Sequence, residues 1–248
     1  MPPCENRPVK VTVIGCSPAW PNPGGAHSGY LVEGSGRLLL DCGPGVLARL
    51  RASEGWPLVD AIVLTHLHLD HFGDIVPWIF GAAFGAGRDW PAPPLWVPAP
   101  CLPDLHALGE QLSFGPVLGR AFDLRTYDDG VEFDAAGFAV TPFRVPHYDQ
   151  VAFALRVSGP GGVVAYSGDS APSATLSLVA ADADLFLCEA TLVDSGAEGE
   201  LRGHLSAEEA IDAAAAARAR RLVLVHRPDE LPTPAGVERA GDGDVLTV

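Results

Sequence analysis

Lysine is nearly missing from this 248-residue chain. Lys10 stands beside fifteen arginines, set against 31 aspartates and glutamates, for a formal net charge of −15 at pH 7. Holding a polynucleotide requires many basic groups to neutralise its phosphates, and the only basic cluster is the short RARR around Arg220. An extended nucleic-acid partner is therefore not expected, whereas a small anion held by local charge is. Cysteine is also sparse. The five (Cys4, Cys16, Cys42, Cys101, Cys188) are odd in number and form no CxxC pair, which argues against a disulfide framework and against a closed thiolate zinc site. No apolar run reaches the roughly 20 residues a membrane helix needs. The opening MPPCENRPVKVTVIGC lacks a basic region followed by an apolar one. The expectation is a cytoplasmic protein with no membrane contact.

What is present is a globular composition, with 48% hydrophobic and 19% charged residues, and a length that suits one layered α/β domain over 1–248. Short β-type runs alternate with helical ones. VKVTVIG, GYLVEG, RLLLDCG and DAIVLT read as strands, while GVLARLRASEG and IVPWIFGAAFGAG read as helices, with Pro77 tolerable near a first turn. Residues 88–103 hold six prolines and two tryptophans, and are expected to be a connector or lid-like loop with one short strand. The rhythm then repeats. FAVTPFRV, VAFALRVSG, GVVAYSGD, DLFLCEAT and RLVLVH read as strands, and SATLSLVAAD and SAEEAIDAAAAARAR as helices, the second opened by a capping box of Ser206 and Glu209. Strands followed by helices, twice over, predict two αβ halves.

Six strand-like runs end in, or are followed by, a metal-ligand type of residue: Asp41, His66, His147, Asp169, Glu189 and His226. One such residue is usually a turn or a satisfied polar group. THLHLDH (65–71) is different, because His66, His68, Asp70 and His71 put four donors within six residues. Imidazole and carboxylate donors suit Zn²⁺, Mn²⁺ or Fe²⁺.

THLHLDH resembles the signature of the metallo-β-lactamase superfamily. The resemblance implies an αββα sandwich with a two-metal site along one edge of the sheets. Carried over by position, His66, His68 and His147 would bind one metal, Asp70, His71 and His226 the other, and Asp169 would bridge them. Asp41 would orient a ligand from behind. The SGD aspartate, followed by CEAT (188–191), GHLS (203–206) and RLVLVH, is similar to the ribonuclease Z and phosphodiesterase branch. With HSGYLV and DCGPGVLARL, the chain is most similar to actinobacterial cyclic-nucleotide phosphodiesterases. It departs from ribonuclease Z in having no room for a protruding tRNA-binding arm, and the segment after His226 is shorter and richer in proline than in related phosphodiesterases.

The activity so implied is hydrolysis of a small anionic phosphodiester, such as 3′,5′-cAMP. Two divalent ions, Zn²⁺ first and Mn²⁺ or Fe²⁺ as alternatives, would activate a bridging water and stabilise phosphoryl charge. Asp70 would bind metal and orient the nucleophile, and His204 would protonate the leaving oxygen with Glu189 holding its other nitrogen. His27 and Ser28 fall in a turn near such sites, and Arg144, Tyr148 and Arg227 flank ligand positions as candidates for meeting an anion. His106, in an apolar helical run, reads as a core or surface residue. A lactonase, thioesterase or other specialised metallohydrolase keeps the metals and changes the bond. A non-catalytic sensor is disfavoured by the complete ligand set. The resemblance also allows a homodimer.

Overall fold

Alternating apolar and polar residues build the first strand, β1 (Lys10–Gly15), which turns Val11 and Val13 inward. The computed structural model describes residues 8–248, so Cys4 lies outside the described residues. β2 (Gly29–Glu33) and β3 (Arg37–Leu40) lose the alternation because both of their faces are covered. Tyr30, Val32, Leu38 and Leu40 enter one core, and Leu31 and Leu39 another. The first half continues through α1 (Val46–Glu54), β4 (Ala61–Val63), α2 (Leu69–Phe72), α3 (Ile75–Phe84), β5 (Pro94–Pro98), α4 (Leu102–Gln111), α5 (Gly115–Ala121) and β6 (Asp123–Tyr127). The second half comprises β7 (Phe133–Ala135), β8 (Phe138–Val145), β9 (Ala152–Gly159), β10 (Gly162–Tyr166), α6 (Ala174–Val179), β11 (Leu185–Glu189), α7 (Ala207–Ala217), β12 (Leu222–Val225), β13 (Glu238–Arg239) and β14 (Val245–Thr247).

These strands form two seven-stranded mixed sheets, ordered β14-β1-β2-β3-β4-β5-β6 and β13-β12-β11-β10-β9-β8-β7. The inner faces meet in one core of Val11, Val13, Leu40, Val63, Leu155, Tyr166 and Leu187, among others. On the outer face of the first sheet, α1, α3, α4 and α5 contribute Leu50, Trp78, Leu105 and Leu118 to a second core. Beyond the other sheet, α6 and α7 supply Leu176, Val179 and a stripe of Ala207, Ala210, Ala214 and Ala217. The predicted αββα sandwich is therefore present. Ser206 and Glu209 form the expected capping box at the start of α7.

Two expectations change. The proline-rich 88–103 segment does hold the one short strand expected there, but as a packed connector rather than a lid, because that strand, β5, runs inside the first sheet, parallel to both β4 and β6. Its Leu95 and Val97 are fully buried, and its two prolines occupy the strand ends, where a missing N–H costs least. The C-terminal segment is more than a truncated tail. β13 extends the second sheet beside β12, and β14 crosses to pair with β1 of the first.

Candidate metal centre

The two sheets bring their strand ends together along one edge. Asp41 follows β3, His66 follows β4, His147 follows β8, Asp169 follows β10, Glu189 ends β11, and His226 follows β12. Asp41 and His226 take left-handed backbone conformations, at φ 58° and 51°. Aspartate and histidine tolerate that region better than most residues, and here it turns each chain sharply off its strand. His68 caps α2 from extended backbone, and Asp70 and His71 lie within the helix. Gly43 lets this turn close: a Cβ there would come within 1.9 Å of the Asp70 carbonyl oxygen.

The donors gather into the predicted sets. His66, His68, His147 and Asp169 present ligand atoms within 4.8 Å of one another, as do Asp70, His71, Asp169 and His226. Glu189, His204 and His226 form a third group. Asp169 belongs to both of the first two sets, which is the position a bridging carboxylate occupies.

Hydrogen bonds behind the rings settle which nitrogen faces inward. His71 Nδ1 donates to Asp41 Oδ2 at 2.8 Å, and His147 Nδ1 donates to the Gly203 carbonyl at 2.7 Å. The Thr65 hydroxyl gives its proton to Asp41 (2.9 Å to Oδ2), so it accepts from His66 Nδ1 at 3.0 Å. The Thr191 hydroxyl likewise donates to Glu189 Oε2 at 2.8 Å and accepts from His226 Nδ1 at 2.8 Å. When the four rings are neutral, with each Nδ1 carrying the proton, they present Nε2 lone pairs to the centre.

Those lone pairs face more lone pairs. His226 Nε2 lies 3.0 Å from Asp70 Oδ2 and His71 Nε2 lies 3.2 Å from Asp169 Oδ1, while His147 Nε2, 2.9 Å from His68 Nδ1, can accept from that ring. His66 Nε2, His71 Nε2 and Asp169 Oδ1 are buried without a hydrogen-bond partner. Orphaned buried acceptors are costly, and a cation resolves the whole set at once. The residues therefore fit bound metal.

The proton equilibria reflect the same crowding. Burial, aided by neighbouring imidazoles, pushes His66 and His68 down, and burial pushes His147 down as well. At His71 burial also lowers the pKa, but Asp169 and Asp41 outweigh it and the net shift is upward. Burial would raise Asp70, yet His226 and His71 hold it well below the ordinary carboxylate range.

His204 sits beside these ligands without joining the two main sets. Its Nδ1 donates to Glu189 Oε1 at 2.9 Å and lies 3.8 Å from Asp169 Oδ2. Burial alone would lower its pKa; Glu189 and then Asp169 outweigh burial, and His204 is pushed up to about 9. Glu189 is fully buried and also accepts from the Ser170 backbone N–H and the Thr191 hydroxyl.

Other candidates resolve differently. His27 and Ser28 are buried; His27 Nδ1 donates to the Pro18 carbonyl at 2.7 Å, and its ring lines a cleft of about 360 Å³ with Ala19, Pro44, His68, Leu69 and Asp70. Arg227 does not face an anion. It is buried, and its guanidinium is bound to the Ala190 and Pro232 carbonyls. Arg144 lies over the Phe153 ring and reaches the Gln150 carbonyl. Tyr148 packs against His147 and His204, with ring centroids 4.9 and 5.6 Å away. His106 is an exposed residue of α4. The supports sequence reasoning missed are Thr65, Thr191, the Gly203 carbonyl and Tyr166, whose hydroxyl donates to Asp41 Oδ2 at 2.9 Å; of these, Thr65 and Thr191, close to His66 and Glu189, left a local signal.

The beta-lactamase superfamily domain family matches residues 36–227. The chain belongs to that superfamily, in its metallo-β-lactamase form, and is a hydrolase whose His/Asp cluster is able to bind metal. Among its relatives is the probable metallo-hydrolase YhfI of Bacillus subtilis, 29% identical over 89% of this chain and 87% of that one. The crystal structure of YhfI superposes with a TM-score of 0.81 at 27% identity, covering 98% of this chain and all of that one. Ribonuclease Z of Mycolicibacterium paratuberculosis is 29% identical over 88% of this chain and 85% of its own. The short form of human tRNase Z superposes with a TM-score of 0.74 at 25% identity, over 96% and 98% of the two chains.

Proposed function

We propose that the chain is a phosphodiesterase holding two divalent ions, zinc in the first instance, and that its substrates are small cyclic nucleotides such as 3′,5′-cAMP. The observation that carries this reading is the His204–Glu189 pair set against Asp169. Opening a cyclic phosphodiester leaves an alkoxide that needs a proton, and a histidine held at Nδ1 by a buried carboxylate has Nε2 free to deliver one.

Charge supports the same choice. Two divalent ions would face four buried carboxylates, Asp41, Asp70, Asp169 and Glu189. A protonated His204 adds a positive charge beside them, which suits an anionic phosphodiester better than a neutral lactone or thioester. When bound, such ions lower the pKa of water and neutralise charge on a phosphoryl oxygen. Asp70 orients the attacking water, His204 Nε2 gives its proton to the leaving 3′-oxygen, and Glu189 steadies the imidazolium through Nδ1. The cleft beside His68 and Asp70, at about 360 Å³, lies in the small-molecule range. Among the described residues, the longest stretch between elements, 190–206, is tied back through Glu198 to the Tyr148 hydroxyl rather than free to project as an arm. Relatives named ribonuclease Z are consistent with phosphodiester chemistry. The partner required is a small anionic molecule, with no extended nucleic acid and no membrane; no described helix is long and apolar enough to cross one.

The test is a panel of 2′,3′- and 3′,5′-cyclic nucleotides, bis(p-nitrophenyl) phosphate, a thioester and a lactone, run on metal-reconstituted protein. Cyclic-nucleotide turnover that disappears in Asp70→Ala is the expected result. Metal-dependent ester cleavage without phosphodiester turnover would replace this reading with a specialised ester hydrolase.

A further inference from the structure

Segment 190–206 leaves β11 at Glu189, passes over the site and returns to α7, carrying His204 near its end. Residues 193–200 are all exposed except Glu198, which is turned inward. One Glu198 oxygen accepts from the Gly203 backbone N–H at 2.8 Å and from the His204 N–H at 3.2 Å. The other accepts from the Tyr148 hydroxyl. Among the described residues, Glu198 is the only side chain of 193–200 that hydrogen-bonds outside that stretch.

Tyr148 occupies the other side of the strap. Its backbone N–H donates to the Arg202 carbonyl at 3.0 Å. Its ring lies so close to Gly203 that a Cβ there would come within 2.2 Å of it. Gly203 in turn gives its carbonyl to His147 Nδ1. The same two residues of chain, 203 and 204, therefore carry an anchor for a metal-cluster histidine and the imidazole that pairs with Glu189.

We propose that Tyr148 and Glu198 form a latch that sets the position of His204, and that both are positioning residues for proton delivery to the leaving group. The inference rests on the acid role given to His204 above. A carboxylate satisfied by two successive backbone N–H groups and a tyrosine hydroxyl fixes the peptide that carries His204, while Glu189 fixes the ring. Displacing a reacting group by about 1 Å costs on the order of 10²-fold in rate, so a released strap impairs transfer without removing the acid.

The experiment compares Tyr148→Phe, Glu198→Gln and His204→Ala on two phosphodiesters, one with a poor alkoxide leaving group and one with p-nitrophenolate, which departs without a proton. Tyr148→Phe removes one hydroxyl from a partly exposed ring and tests the latch with little risk to folding. The latch predicts a loss of about tenfold on the poor leaving group with less than about twofold on p-nitrophenolate, following the pattern of His204→Ala at smaller amplitude. It also predicts faster hydrogen exchange at the Gly203 and His204 amides in Glu198→Gln. Equal losses on both substrates, or unchanged exchange at those amides, while His204→Ala remains leaving-group selective, overturn the latch and leave the acid intact. A leaving-group-selective loss in none of the three variants overturns both.

Discussion

Replacing Asp41 with asparagine removes one charge while keeping the side-chain shape, and asparagine tolerates the same left-handed backbone. The carboxylate is fully buried and accepts from the Thr65 N–H (2.8 Å), the Thr65 hydroxyl, His71 Nδ1 (2.8 Å) and the Tyr166 hydroxyl (2.9 Å). An amide keeps one acceptor oxygen. If that oxygen stays on Thr65, the –NH₂ group meets His71 Nδ1–H, donor against donor, whereas the Tyr166 hydroxyl can turn to accept. The way out is for His71 to shift its proton to Nε2 and accept through Nδ1, which removes the lone pair directed at Asp70 and Asp169. An ion bound at the Asp70, His71 and His226 set, as proposed above, should therefore bind about 10–100-fold more weakly, the usual effect of losing a carboxylate behind a ligand histidine. The set of His66, His68 and His147 should change far less, because Thr65 keeps its acceptor. Losing a hydrogen bond to a buried charge should cost the metal-free fold roughly 1.5–3 kcal/mol. Metal titration in buffered zinc, with urea denaturation of the metal-free protein, reads both quantities. Two unchanged metal affinities in Asp41→Asn would refute the tautomer argument.

Two further outcomes follow from other parts of the fold. Cys16, Cys42, Cys101 and Cys188 are buried and free, and burial raises every one of these thiols, Cys101 to about 11. Because only the thiolate reacts, a Cys4→Ser variant should show no fast-reacting thiol toward an aromatic disulfide reagent at pH 8 until it is unfolded; a rapid native-state equivalent would contradict the burial. Glu209 has its pKa lowered, first by Arg202, and it also completes the capping box of α7. A lowered carboxylate pKa adds stability that is full above the unfolded value and is lost as pH falls through the folded value. The stability gap between the native chain and Glu209→Gln, measured by thermal unfolding, should therefore be present at pH 7 and shrink below the ordinary carboxylate range, whereas a gap constant with pH would assign it to packing.

The local sequence revealed much of this fold because its signals were local. Four donors within six residues of THLHLDH, and strands ending in Asp41, Asp169 and His226, need no tertiary information to stand out. Ser206 and Glu209 announced their cap by spacing alone. In 88–103 the short strand was legible but its place inside the sheet was not, because a parallel strand of five residues has room for prolines at both ends and keeps only Leu95 and Val97 as fully buried apolar positions. The short tail after His226 gave no sign that β14 would pair across to β1, since that partner lies more than 200 residues away and pairing leaves no local pattern.

Sequence by itself determined the chemistry: which donors exist, that they follow strands, and that no thiolate or basic patch competes with them. Only the tertiary structure decided how those donors present themselves. Thr65 and Thr191, whose hydroxyls pass protons to carboxylates, fix the outer nitrogens of His66 and His226. Asp41 and the Gly203 carbonyl hold His71 and His147 from segments far from those histidines in the chain. A side chain's type is written in one position, but its tautomer and aim are set by whatever acceptor the fold places behind it, and that acceptor can come from any strand.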